Sequence, residues 1–92
     1  MKRDELIDKA KELINGERKK DYGDARRCFA LTASLWGIYL NREVYADDVA
    51  VMMMLLKIAR MTTGKGTDDC WIDIIGYAAL GGELKERRNE EI

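Results

Sequence analysis

The sequence predicts an all-α fold, a bundle of four helices. Three observations predict it. Apolar residues recur at i, i+3 and i+4, strand-like alternation is almost absent, and the periodic runs stop at Gly16, Asn41 and Gly64. The 92 residues include no proline to interrupt a helical run.

The first helix is expected from about Asp4 to Arg18, with Leu6, Ile7, Ala10, Leu13 and Ile14 as its apolar stripe and Gly16 loosening its last turn. A connection through Tyr22 and Gly23 then ends at Asp24, whose carboxylate suits an N-cap. The second helix runs from about Ala25 to Leu40. Its apolar arc takes in Phe29, Leu31, Leu35, Trp36, Ile38, Tyr39 and Leu40, wide enough to predict burial on two faces, and Asn41 stops it in a left-handed conformation. The third begins near Ala46 and ends at Gly64, with Asp47 and Asp48 in the first turn, where the helix dipole favours negative charge. Thr67 or Asp68 caps the fourth, which runs to about Arg88, and the stretch from Glu83 to Ile92 reads as a solvated, mixed-charge tail.

Composition narrows the class. At 47% hydrophobic and 36% charged the chain is globular, and residues 1–92 read as one helical domain. The uncharged runs Cys28–Asn41, Val49–Leu56 and Ile74–Gly82 hold more apolar helix than one small core absorbs. A homo-oligomer, most simply a dimer, is therefore expected. Met52, Met53 and Met54 are expected to fill core or subunit contacts, and Trp36 and Trp71 to anchor the core rather than stack on a base. The net charge of -1 provides no basic field for nucleic acid. No run is long enough to cross a bilayer, and the charged start MKRDELIDKA is no signal peptide. Cys28 and Cys70 form no CxxC pair, which points to free, buried thiols in a reducing cytoplasm. Histidine is absent, so imidazole catalysis and histidine metal ligation are excluded.

Two constellations carry candidate chemistry. On the third helix Val49, Met53, Leu56 and Arg60 share a face, with Lys57 beside them. On the fourth, Asp69, Asp73 and Tyr77 stack at i,i+4, with Gly76 alongside to allow close approach of another backbone. The short turn between these helices makes them antiparallel, so the cations face the acids. One reading is a buried ion-pair network that sets helix register. The other is that Asp69 and Asp73 bind Mg²⁺ while Lys57 or Arg60 binds phosphate, because Mg²⁺ takes hard oxygens and keeps room for substrate phosphates. The second constellation is the connection Arg18 to Asp24, where Arg18 and Lys20 would hold an anion beside a helix N-terminus and Tyr22 would stack on a base. Its plain alternative is a solvated turn.

Arg18 with Tyr22-Gly23, Leu35-Trp36, Asp48-Val49 leading to Met52, Lys57 and Arg60, then Asp68-Asp69, Asp73 and Gly76-Tyr77 together resemble a family of short proteins encoded by bacteriophages and prophages. The resemblance spans about Leu6 to Leu84. It implies a bacterial host cell, and either a nucleotide ligand or a host or phage protein as partner. The helix pattern is also similar to that of MazG-like nucleoside triphosphate pyrophosphohydrolases, oligomeric bundles that use Mg²⁺. That similarity implies Asp69 and Asp73 as catalytic carboxylates, with Asp48 joining them on the metal across a subunit interface. Arg18, Lys20, Tyr22, Lys57 and Arg60 would then hold substrate. Those enzymes carry E-x-x-E and E-x-x-D on successive helices. Here the fourth helix has Asp69 and Asp73 one residue further apart, and the third has acids only in its first turn. The alternative is a non-catalytic phage accessory module whose charges form structural ion pairs.

Overall fold

The structure is a computed structural model that describes residues 1–17, 25–64 and 66–91. Among the described residues there are four α-helices and no strand. Helix α1 spans Arg3–Glu12 and continues into a single π turn, Leu13–Glu17. Helix α2 spans Ala25–Leu40, α3 spans Ala46–Thr63 and α4 spans Asp68–Glu90. Gly16 lies in the π turn, so the loosening expected of it takes the form of a wider helical turn.

Local chemistry explains the helix ends. Asn41 is left-handed at φ 54, and the Arg42 amide donates to the Gly37 carbonyl at 3.1 Å, closing the six-residue ring of a Schellman stop. A Cβ on Gly37 would lie 2.7 Å from the Arg42 carbonyl oxygen, so the returning chain needs glycine there. The Asp48 carboxylate accepts the Tyr45 amide at 2.9 Å, reaching back over the first turn of α3. Gly64 ends α3 with its amide on the Arg60 carbonyl, but in an extended rather than left-handed conformation. Thr67 occupies the N-cap of α4 without a side-chain capping bond. Asp24 lies outside the described residues.

The closest packing is between α3 and α4; α2 packs mainly on α3, and α1 on α4. Val49 and Ala50 of α3 and Ile72, Gly81 and Leu84 of α4 are buried, with Ala33 of α2 and Ala10 of α1 closing the flanks. A Cβ on Gly81 would lie 2.8 Å from that of Ala50, which shows how tightly α3 and α4 approach. At Gly76 the neighbour is the Ile14 side chain, 3.2 Å from the same construction, so this glycine admits the π turn after α1. Phe29 and Tyr77 meet in a tilted ring contact at 6.2 Å.

Several expectations about burial are corrected. Helix α2 is not buried on two faces within the chain: Leu31, Ile38 and Tyr39 are 62%, 77% and 89% exposed. Helix α2 packs on α3 and reaches α4 through Phe29 and Tyr77, so among the described residues its opposite side is left uncovered. Trp71 is exposed rather than a core anchor, as is Cys28 rather than a buried small hydrophobe. The stretch after Glu83 is not simply a solvated tail, because it continues α4, buries Leu84 and places Arg88 against α3. No helix among the described residues is long and apolar enough to cross a membrane.

Candidate functional site

The antiparallel packing of α3 and α4 brings Lys57 to Asp73. Their Nζ and Oδ2 atoms lie 3.0 Å apart, with the side chains 15% and 12% exposed. Both side chains are mostly buried, so each charge leans on the other. Arg60 and Asp69 are exposed. Asp69 lies one turn before Asp73 and borders an open groove of about 760 Å³ that is also lined by Lys9, Glu12, Leu13, Asn15 and Ile72. The groove thus runs toward α1 and the π turn, and Lys57 and Asp73 do not line it.

Asp48 sits elsewhere. It bonds to the Tyr45 amide at the start of α3, roughly 13 Å along the helix from Lys57 at the usual rise per residue. Within one copy it does not join Asp69 and Asp73. Among the described residues no group of three or more acids and cysteines is arranged to share a metal ion. Asp69 and Asp73 alone offer two carboxylates one turn apart, a donor number that suits Mg²⁺ when phosphates and water complete its shell. Arg18, Lys20 and Tyr22 lie outside the described residues.

A second charged cluster was not legible in the sequence. Asp47 is 6% exposed and accepts two hydrogen bonds from Arg88, at 2.8 Å from Nε and 3.2 Å from Nη2. The same guanidinium lies over the Tyr45 ring, 4.2 Å from its centroid. The hydrogen bond from Arg88 is the main reason the Asp47 carboxyl is held below its ordinary 3.8, against burial, which pushes it up. The Tyr45 phenol is raised, first by a hydrogen bond to Glu43 and next by burial. The missed signal was helix register. Extending the Lys57–Asp73 pairing along two antiparallel helices leads past Ala50 and Gly81 to Asp47 and Arg88.

Among the described residues, large apolar side chains also stand exposed on α2 and α3. Leu31, Leu35, Ile38 and Tyr39 follow helical spacing along the outer side of α2, and Val51, Leu55 and Ile58 do so on α3. All seven are exposed, and the stretches Cys28–Asn41 and Val49–Leu56 that supply all but Ile58 carry no charge.

Comparison with known proteins gives the family of the chain. The chain is 46% identical over 76 residues to the Gene 55 protein of Mycobacterium phage L5, an alignment covering 82% of this chain and 49% of the relative. It is 42% identical over 84 residues to the Gene 55 protein of Mycobacterium phage D29, covering 88% and 54% respectively. The chain therefore spans about half the length of the curated relatives it matches. No solved structure matches it. Residues 5–85 match the family described as a domain of unknown function, DUF6378, and the chain belongs to that family, which has relatives in mycobacteriophages.

Proposed function

We propose that this chain is a non-catalytic protein-association module, in which the ion pairs hold the helices in register and the outer face of α2 meets another protein surface. The uncharged, exposed stripe from Leu31 to Tyr39 carries the reading. Monomeric soluble proteins seldom leave a large contiguous apolar area in water. The acids support it too: Asp73 and Asp47 are mostly buried and each meets a cation. Charged substitutions on the stripe test it. Leu35→Glu with Ile38→Glu should leave helicity intact and abolish association with whatever protein covers the face. Association that is unchanged in the variant rejects the reading.

A second reading has one observation of its own. Asp69 is exposed one turn before Asp73, with Arg60 exposed on the facing helix, which is the acid and cation set of a Mg²⁺–nucleotide site. On this reading the chain is a MazG-like nucleotide-binding or pyrophosphohydrolase-like protein. Asp69 and Asp73 would hold Mg²⁺, and Lys57 and Arg60, with Arg18 and Lys20, would hold phosphate. A nucleoside triphosphate should then raise the melting temperature only with Mg²⁺ present, and Asp69→Asn should remove the shift. The absence of a shift across the common nucleotides sinks it.

A further inference from the structure

We draw no further inference here: the strongest candidate, the exposed apolar side of α2 formed by Leu31, Leu35, Ile38 and Tyr39, adds nothing to the association reading, because nothing in the structure shows what covers it.

Discussion

Replacing Asp73 by leucine removes the carboxylate from a pair that sits at 3.0 Å with both side chains at most 15% exposed. At an effective dielectric of about 20, the Coulomb attraction at that distance is about 5 kcal/mol. Desolvation of the two ions opposes most of it, so the pair adds little net stability. The single substitution is different, because it leaves the mostly buried Lys57 ammonium without the Asp73 carboxylate. Lysine can extend toward water, which trims the usual cost of breaking a buried pair to about 2–4 kcal/mol. In a domain of this size that lowers the melting temperature by roughly 10–25 °C. Urea unfolding followed by circular dichroism measures it. The double variant Lys57→Met with Asp73→Leu removes both charges at similar volume and should recover to within about 1.5 kcal/mol of the native chain. Asp73→Leu alone within about 0.5 kcal/mol of native would refute the reasoning. It would mean that the carboxylate faces water, as a metal-binding acid in an open cleft would.

Two further predictions follow from the α3–α4 contact. The Arg88 hydrogen bond holds Asp47 below 3.8, so the stability from this group is fully present above that pH and is lost as pH falls through the lower folded value. The gap in melting temperature between the native chain and Asp47→Asn should therefore stay constant from pH 7 down to about 4 and shrink below it. A gap that widens in acid contradicts the assignment. Gly81→Ala should destabilise by about 1–3 kcal/mol despite its better helix propensity, because its Cβ would lie 2.8 Å from that of Ala50. Gly82→Ala, with nothing within 4 Å, should stabilise by up to about 1 kcal/mol, and paired thermal melts separate the two.

What the sequence determined by itself was local. The four helices, the left-handed stop at Asn41, the end of α3 at Gly64 and the meeting of Lys57 with Asp73 all depend on periodicity, end residues and one short turn. Those signals act over a few residues, and an antiparallel hairpin of helices follows directly from them. Candidate sites were legible to the same depth: the facing of Lys57 and Asp73 and the place of Asp48 in the first turn of α3 were. The tertiary structure added that the Asp48 carboxylate turns back onto the Tyr45 amide. It alone joined Asp47 to Arg88 across 41 residues, because that pairing depends on the register along the whole length of α3 and α4. It also decided which apolar faces are covered. Leu31, Leu35, Ile38 and Trp71 have the composition of a core, yet burial depends on how many neighbours a helix has, and that number is set by the order of the helices in space.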